Sequence, residues 1–200
     1  MQSFWDRLPR PFFAMAPLAD VTDPAFRRLV AACGKPDITW TEFVSADGLY
    51  HTRESARMLD AKNPLMRDLL YSEGERPIVA QLFSSKPDFM AYASELAAKL
   101  GFDGVDINMG CPDRAIEKQG CGSAMIRTPA LAKAIVAAAK SSGLPVSVKT
   151  RVGYGKEDLD EWLPALLEAE PAAITLHLRT RKEMSKVPAR WELMEKAVGI

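Results

Sequence analysis

The sequence predicts an α/β fold of the (β/α)8 TIM-barrel class, with about six β-α units present. Strand-length apolar runs alternate with helical runs along the 200 residues. Several of these strands are almost continuously apolar, as parallel strands buried on both faces require. Polar residues recur at the carboxyl ends of the strands, where a barrel builds its active site. A complete barrel usually takes about 250 residues, so we expect strands seven and eight to be absent and the barrel to be incomplete.

The strands are predicted from apolar runs bounded by turn residues. In chain order they are residues 12–18, 38–45, 77–83, 104–109, 145–152 and 172–179. Apolar residues with helical spacing predict helices at residues 24–32, 86–100, 129–141, 158–168 and 189–198. The pattern is therefore a repeated strand and helix. Residues 48–74 are charged and irregular, and we expect a helix and a short extra hairpin there.

The helix boundaries carry residues typical of caps. Asp23 and Thr128 each precede a proline, the pattern of an N-cap followed by proline at the first helical position. Gly34, Gly101 and Gly143 follow predicted helix ends, where a left-handed residue is favoured.

An open doubly wound sheet is the alternative architecture for β-α repeats. The segment Gly120-Cys-Gly-Ser-Ala-Met125 begins like the dinucleotide-binding pattern G-x-G-x-x-G. Its last position is methionine, and it does not directly follow a strand. The phosphate motifs therefore do not favour this alternative.

Composition and charge exclude several classes of protein. Hydrophobic residues make up 48% of the chain, enough for a substantial core, so disorder is not expected. The 26 basic residues balance the 26 acidic ones, which leaves room for a local basic face. Three irregularly spaced cysteines, Cys33, Cys111 and Cys121, predict neither a disulfide framework nor a zinc site. No signal peptide or membrane anchor is recognisable, and no run approaches the roughly 18 apolar residues of a membrane span. A cytoplasmic protein without a metal is expected.

Candidate site residues follow the strand ends. They are Glu42, Gln81, Asn108 with Cys111, Lys149 with Arg151, and His177 with Arg179. In a barrel the ends of all these strands converge on one mouth. We therefore expect these side chains to lie around a common site.

Two segments closely resemble the signature of tRNA-dihydrouridine synthases. They are Asp106-Ile-Asn-Met-Gly-Cys-Pro112 and Lys118-Gln-Gly-Cys-Gly-Ser-Ala-Met125. Further matches to this family occur in the same order along the chain: Met15-Ala-Pro-Leu18, Thr22-Asp-Pro-Ala-Phe-Arg27, Thr41-Glu-Phe-Val-Ser45, Ala80-Gln-Leu82, Ser147-Val-Lys-Thr-Arg151 and Thr175-Leu-His-Leu-Arg-Thr180. The resemblance extends from about Phe12 to the end of the chain. It implies an N-terminal extension over residues 1–11 and a truncated FMN-binding barrel domain over residues 12–200.

This resemblance implies an FMN-dependent oxidoreductase that reduces the C5=C6 bond of particular tRNA uridines, with NADPH reducing the flavin. Cys111 falls on the family's catalytic cysteine, which donates a proton to the uracil ring as hydride arrives from the flavin. The family's flavin-contacting positions fall on Pro17, Leu18, Ala19, Gln81, Lys149 and His177. We assign Lys149 the role of stabilising the anionic reduced flavin.

The chain also departs from the family pattern. Leu18 stands where methionine is usual, and Leu178 stands where glycine usually follows the histidine. The phosphate-binding loops after strands seven and eight and the C-terminal helical domain are expected to be missing. We therefore expect the isolated chain to be the N-terminal part of a synthase and to bind FMN weakly.

The basic residues beyond the sixth strand have two interpretations. Arg179, Arg181, Lys182, Lys186 and Arg190 are either an ordinary solvated face or contacts for RNA phosphates. With Asn108 and Arg151, the first three of them are the candidate substrate-binding residues.

Other interpretations of the sequence remain open. Cys111 also fits a small buried residue, His177 a core histidine, and Lys149 a Schiff-base lysine. Glu42 is as suited to orienting a neighbour as to binding substrate, and His51 is expected in an exposed loop. Cys33 and Cys121 have no predicted chemistry. Two further functions are possible for the whole chain: a flavin barrel acting on a free pyrimidine, like dihydroorotate or dihydropyrimidine dehydrogenases, and a catalytically silent RNA-binding fragment.

Overall fold

Strands and helices alternate along residues 3–200, which the computed structural model of the chain describes. The strands are β1 (Ala14–Met15), β2 (Ile38–Trp40), β3 (Val44–Ser45), β4 (Ile78–Phe83), β5 (Gly104–Met109), β6 (Val146–Arg151) and β7 (Ala173–His177). The α-helices are α1 (Pro24–Gly34), α2 (Ala46–Tyr50), α3 (Pro64–Asp68), α4 (Pro87–Lys99), α5 (Arg114–Glu117), α6 (Pro129–Ala139), α7 (Leu159–Leu167) and α8 (Leu193–Gly199). Short 3-10 helices include Phe4–Arg7 and Gly122–Arg127, and His51–Ser55 forms a π-helical turn.

The strands form one curled parallel sheet in the order β1-β2-β4-β5-β6-β7. Strands β2 and β3 both fall within the predicted strand 38–45. β2 pairs with the first half of β4, and β3 pairs with the end of β4. Every pairing between strands is parallel. The sheet is thus a half-barrel with β1 and β7 at its edges, and the predicted fold class of an incomplete (β/α)8 barrel is confirmed.

The first two strands are shorter than predicted. Only β1 pairs within residues 12–18, where Pro17 has no N–H to donate to a ladder. Residues 38–45 divide into β2 and β3. At the division, the Thr41 hydroxyl replaces a backbone carbonyl as acceptor for the Gln81 N–H, at 3.0 Å.

The prediction of a hairpin within residues 48–74 is wrong. This segment instead contains α2, the π-helical turn and α3, all helical. Asn63 starts α3 by accepting a hydrogen bond from the Leu65 N–H at 3.1 Å, and Pro64 follows it at the first helical position. A capped helix therefore forms where the irregular charge pattern suggested a turn between strands.

The cap predictions are confirmed in part. Asp23 accepts from the Phe26 N–H at 2.7 Å, as an N-cap does. Gly101 and Gly143 adopt left-handed conformations, with φ of 83° and 74°. Thr128 is not a side-chain cap, because its hydroxyl turns back to the carbonyl of Met125 at 3.4 Å. Gly34 is also wrong as a left-handed cap, since it is the last residue of α1.

The two faces of the central strands have opposite character. The face toward the helices is apolar and packs mainly on α4, α6 and α7: it consists of Ile78, Ala80, Leu82, Val105, Ile107, Met109, Val146 and Val148. The inner face is polar, because register places Gln81 beside Asp106, Asp106 beside Ser147, and Asn108 beside Lys149. Paired residues of neighbouring strands point to the same side of a sheet. The polar side chains of the strands therefore meet inside the half-barrel.

The N-terminal segment closes the floor of the half-barrel. Phe4 packs with Ile38, Trp40 and Val79 at the amino ends of the strands. A Cβ at Gly104 would lie 3.1 Å from the Phe4 ring, so glycine leaves room for this ring. The floor is apolar, and the polar inner face begins directly above it.

A groove of about 990 Å³ is lined by residues of the two edge strands and of α7 and α8. Ala14, Ala16 and Pro17 line it on the β1 side, and Thr175 and His177 on the β7 side.

Within residues 3–200 there is no group of three or more His, Cys, Asp or Glu side chains suited to a metal ion. None of the helices in this range has the length and apolar character to cross a bilayer.

Candidate active site

In the turn after β5, both the backbone N–H and the backbone carbonyl of Cys111 are hydrogen-bonded. The Asn108 side-chain oxygen accepts from the N–H groups of Gly110, at 3.1 Å, and Cys111, at 2.9 Å. The Cys111 carbonyl accepts from the backbone N–H and the hydroxyl of Ser123, each at 2.9 Å. The position of the cysteine is therefore set by two polar side chains, one from the strand and one from the loop below it.

Gly122 allows the loop to approach Cys111 this closely. Its φ is +60°, and a Cβ there would lie 2.6 Å from the Cys111 carbonyl oxygen. The segment Gly120–Met125, which begins like a dinucleotide-binding motif, supports the turn that carries Cys111. Its glycine serves a close backbone approach, which is one of the general uses of glycine.

The Cys111 thiol is partly buried beside the inner face. Burial is the main cause that raises its pKa above the usual 9.0. The backbone N–H of Asp113 lowers the pKa, whereas the negative charges of Asp113 and Glu117 raise it. The Arg151 charge lowers the pKa without reversing this. Cys111 is therefore a protonated thiol near neutral pH and has a proton to donate.

A buried polar network lies under the turn. Asp106 is fully buried and accepts from the Gln81 amide and from the Ser147 hydroxyl, both at 2.6 Å. Gln81 is also fully buried, and its oxygen accepts from the Asn108 amide at 3.1 Å. Burial raises the pKa of Asp106 to about 6, against the effect of its hydrogen bonds and of Lys149. The network thus runs from a carboxylate in the core to the turn that carries Cys111.

Lys149 projects from β6 into the groove. Burial lowers its pKa below 10.5, while the carboxylate of Asp106 favours the charged ammonium form. Arg151 opposes that form because it adds a second positive charge nearby. This lysine is a partly desolvated cation that faces the inner surface, so the prediction that it is not a solvated surface residue is supported by its position.

His177 ends β7 at the same mouth. Burial lowers its pKa to about 4, with further lowering by Arg151, Lys149 and Arg179. Its Nε2 atom lies 2.8 Å from the guanidinium of Arg179. Because a guanidinium only donates hydrogen bonds, this nitrogen must accept, and the imidazole is neutral.

Two arginines predicted to bind substrate join the loops of the mouth. Arg151 is 7% exposed and donates to the backbone carbonyls of Gly110, Thr180 and Met184. Arg181 forms a two-pronged ion pair with Glu117. These contacts fix the loop after β7 against the cysteine turn and leave the guanidinium groups largely occupied.

The other basic residues differ in how free they are. Arg179 donates to the Val187 carbonyl at 2.5 Å as well as approaching His177. Arg190 pairs with Glu183 at 2.9 Å. Lys182 and Lys186 are exposed on the same segment. The two lysines are therefore the best-placed cations of this segment for an external anion.

The loop after β1 contains three of the predicted cofactor-binding residues. Pro17 lines the groove, Leu18 is 53% exposed, and Ala19 is also exposed. Glu42 holds this loop by accepting from the Asp20 N–H at 2.5 Å. Of the two roles open to Glu42, the structure favours orienting a neighbour.

The remaining cysteines and histidine lie outside this arrangement. Cys33 is exposed on α1, and Cys121 is buried with a pKa that burial raises to about 11. His51 is exposed as expected, but it belongs to a π-helical turn and not to a loop.

Sequence reasoning missed four polar residues that shape the site. Asp106 and Ser147 lie on the inner face, and Ser123 and Glu117 support the cysteine turn. Polar residues two apart in consecutive strands were the available signal, since Asp106 and Asn108 face the same side as Ser147 and Lys149. Ser123 and Glu117 had no such signal because their contacts depend on how loops fold back.

Comparison with known proteins identifies similar sequences. The profile of the family described as "Dihydrouridine synthase (Dus)" matches residues 14–197. The "Probable tRNA-dihydrouridine synthase 2" of Bacillus subtilis (strain 168) is 46% identical over 196 residues, which cover 96% of this chain and 58% of that relative. The "Probable tRNA-dihydrouridine synthase" of Staphylococcus aureus (strain COL) is 44% identical over 195 residues, which cover 97% of this chain and 57% of that relative. The chain thus spans a little over half the length of these curated relatives.

Proposed function

The chain belongs to the dihydrouridine synthase family, and from this premise we propose that it is the part of a tRNA-dihydrouridine synthase that positions the flavin and the target uridine. The observation that carries it is that the thiol of Cys111 and the ammonium of Lys149 come from neighbouring strands to one mouth. Asn108, whose side-chain oxygen accepts from the Cys111 N–H, pairs in register with Lys149. Reduction of a uracil ring by hydride requires a proton donor, and a cation beside a flavin would stabilise its anionic reduced form.

The inner face fits an FMN ring. Lys149 supplies a desolvated cation at the groove, and Pro17 with His177 lines the groove beside it. Gln81 retains one amide N–H beyond its bond to Asp106. FMN supplies a hydride to uracil C6 when it is bound in reduced form, and NADPH is the proposed source of that hydride.

Cys111 is proposed to donate the proton to uracil C5. Hydride addition at C6 leaves negative charge at C5 and O4, so an acid must deliver a proton there. Burial keeps the thiol protonated, and Asn108 with Ser123 fixes its position. Lys149 would stabilise negative charge on the flavin through its own positive charge.

The proposed substrate is a uridine of tRNA turned out of its stack into the mouth. The names of the similar proteins from Bacillus subtilis and Staphylococcus aureus specify tRNA. Lys182 and Lys186 are the proposed phosphate contacts, because they are exposed beside the mouth. We propose a cytoplasmic location because the proposed substrate is tRNA.

A fluorescence titration with FMN tests the flavin site on this chain. We expect saturable binding, with Lys149→Ala at least about tenfold weaker because a desolvated cation is lost. Circular dichroism should show both proteins folded. Equal affinity of wild type and Lys149→Ala would contradict the proposed flavin position.

The role of Cys111 as proton donor is tested by measuring dihydrouridine formation in tRNA, with protein whose wild-type form reduces tRNA. Replacement Cys111→Ala is expected to slow dihydrouridine formation by about 100-fold or more, the usual effect of losing a general acid, while FMN binding stays unchanged. Cys33→Ala is the matched control, since Cys33 is exposed on α1. Undiminished reduction by Cys111→Ala would remove this thiol from the mechanism.

Substrate choice separates tRNA from the other functions considered. Free uracil and dihydroorotate, assayed beside tRNA, should be turned over much more slowly. Faster turnover of a free pyrimidine would instead assign a small-molecule dehydrogenase, and RNA binding without flavin binding would assign a silent RNA-binding fragment.

The phosphate contacts have a test of their own. The double variant Lys182→Gln with Lys186→Gln is expected to flatten the salt dependence of tRNA affinity, because fewer counterions are released. Lys99→Gln, at the exposed end of α4, should leave the slope as in wild type. An unchanged slope in the double variant would exclude the two lysines as phosphate contacts.

A further inference from the structure

A buried carboxylate lies beneath the proposed site and has no part in the proposed transfer of hydride and proton. Asp106 is inaccessible to solvent on the inner face of β5. Gln81 donates to one of its oxygens and Ser147 to the other, both at 2.6 Å. An ionised carboxylate in such a place is unfavourable unless it is hydrogen-bonded and close to a positive charge.

The direction of every hydrogen bond in this network is fixed from its two ends. An ionised Asp106 only accepts, so the Gln81 nitrogen must face it and the Gln81 oxygen must face Asn108. At the other end, the backbone N–H of Cys111 only donates, so the Asn108 oxygen must face the turn. Fixed from the Cys111 end alone, the Gln81 amide donates to Asp106, so these hydrogen bonds favour the charged carboxylate against the burial that raises its pKa, and they hold its side chain in one position.

The positive charge that matches this carboxylate is Lys149. Asp106 pairs in register with Ser147, and Lys149 follows two residues later on the same face of β6. The other titratable or charged groups around Lys149 are Arg151 on its own strand, the Cys111 thiol after β5 and His177 on β7. Arg151 disfavours a second cation, and His177 is neutral. Asp106 is thus the carboxylate that favours the charged lysine.

We infer that Asp106 is a positioning residue: held by Gln81 and Ser147, its carboxylate is the buried counter-charge that keeps Lys149 an ammonium ion facing the groove. The role of that ammonium toward a flavin rests on the proposed function, whereas the coupling between the two charges does not. Asp106 acts through Lys149 and touches neither cofactor nor substrate in this proposal.

The test measures the titration of Lys149 in the 200-residue chain by isotope-edited NMR of the lysine ε-methylene groups. Replacement Asp106→Asn keeps the size and most hydrogen-bonding capacity of the side chain and removes its charge. The Lys149 pKa is expected to fall by at least about one unit, the usual effect of losing a nearby opposite charge. Lys149→Met identifies the signal by its disappearance.

Asp160→Asn is the matched control, because Asp160 is an exposed carboxylate whose partner is Lys196. It should leave the Lys149 titration unchanged. A Lys149 pKa in Asp106→Asn equal to that of wild type would overturn the inference.

The reciprocal measurement serves if Asp106→Asn does not fold. Lys149→Met removes the cation, so the carboxyl pKa of Asp106, about 6 in the wild type, is expected to rise further. An unchanged Asp106 titration in folded Lys149→Met would also overturn the inference.

FMN titration separates this inference from the proposed function. Above the Lys149 pKa, a one-unit fall reduces the protonated fraction about tenfold, so Asp106→Asn should bind FMN up to about tenfold more weakly. If wild type does not bind FMN at all, the proposed flavin site fails, while the lysine titration still decides whether Asp106 is the counter-charge.

Discussion

Asp106 and Ile107 are adjacent in β5, equally buried, and opposite in what surrounds them. Ile107 faces the helices within a large apolar cluster. Asp106 faces the interior of the half-barrel and bonds to Gln81 and Ser147. Alternation along the strand separates the two environments. The comparison shows that the outer face supplies stability, while burial on the inner face holds charged and polar groups in place.

The largest expected effect comes from the outer face. Ile107→Ala removes buried methyl groups between the sheet and the helices and should destabilise the fold by about 2–5 kcal/mol. Urea denaturation followed by circular dichroism measures it. The pKa of Lys149 should stay as in wild type, because the inner face is untouched. A shifted lysine titration in Ile107→Ala would break the separation between the two faces.

On the inner face, Asp106→Asn should change how stability depends on pH. The folded pKa of about 6 is raised above the ordinary 3.8, so the contribution of this carboxyl is fully present below pH 3.8 and is lost as pH rises through about 6. Over that window wild type should lose up to about 3 kcal/mol relative to Asp106→Asn. Urea denaturation at a series of pH values measures the difference.

The control for this pH dependence is Asp160→Asn, whose carboxylate is exposed. The stability of Asp160→Asn should depend on pH between about 4 and 6 in the same way as that of wild type. A constant difference between wild type and Asp106→Asn from pH 4 to 7 would show that folding does not raise the pKa of this carboxyl.

Ser123→Ala sharpens the comparison at the rim of the inner face. The substitution removes the hydroxyl, which lies 2.9 Å from both the Cys111 carbonyl and the Glu117 carboxylate, while the backbone bond to Cys111 remains. About 1 kcal/mol of stability should therefore be lost. The freer turn should also let iodoacetamide alkylate Cys111 faster than in wild type. Ser141→Ala, which changes an exposed hydroxyl after α6, is the control. Equal alkylation rates in Ser123→Ala and wild type would refute the support role of Ser123.

The smallest effect concerns the charge of His177. Its pKa is lowered to about 4 by burial and by the neighbouring cations, so NMR of its ring should show a neutral imidazole from pH 8 down to about 5. Arg179→Met removes one of those cations and should raise the pKa. A ring that is protonated at pH 6 in wild type would contradict the electrostatics of the inner face.

Much of the fold could be predicted from the chain alone. Apolar runs located β4, β5 and β6 to within a residue or two, because strands in a parallel sheet are continuously apolar on one face and bounded by turns. The weaker predictions fell in residues 48–74 and at the short β1. In both places local side-chain bonds, such as those of Asn63, and proline geometry decide the structure.

The candidate site was predicted less evenly. Cys111, Lys149 and His177 were expected at one mouth from their places at strand ends, and the structure brings them there. Arg151 and Arg181 bond to loop carbonyls and to Glu117, contacts that the sequence did not predict, and their binding of substrate stays a prediction. The chemistry proposed for the first three residues remains a prediction.

The sequence by itself determined the parallel α/β architecture and which residues end each strand, because alternation and turn residues are local properties. Only the tertiary structure decided that Asp106 and Lys149 share one buried face, that Ser123 supports Cys111, and that Glu117 occupies Arg181. These contacts join residues far apart in the chain. Their energies depend on register, burial and neighbouring charge, which exist only after the strands have curled into the half-barrel.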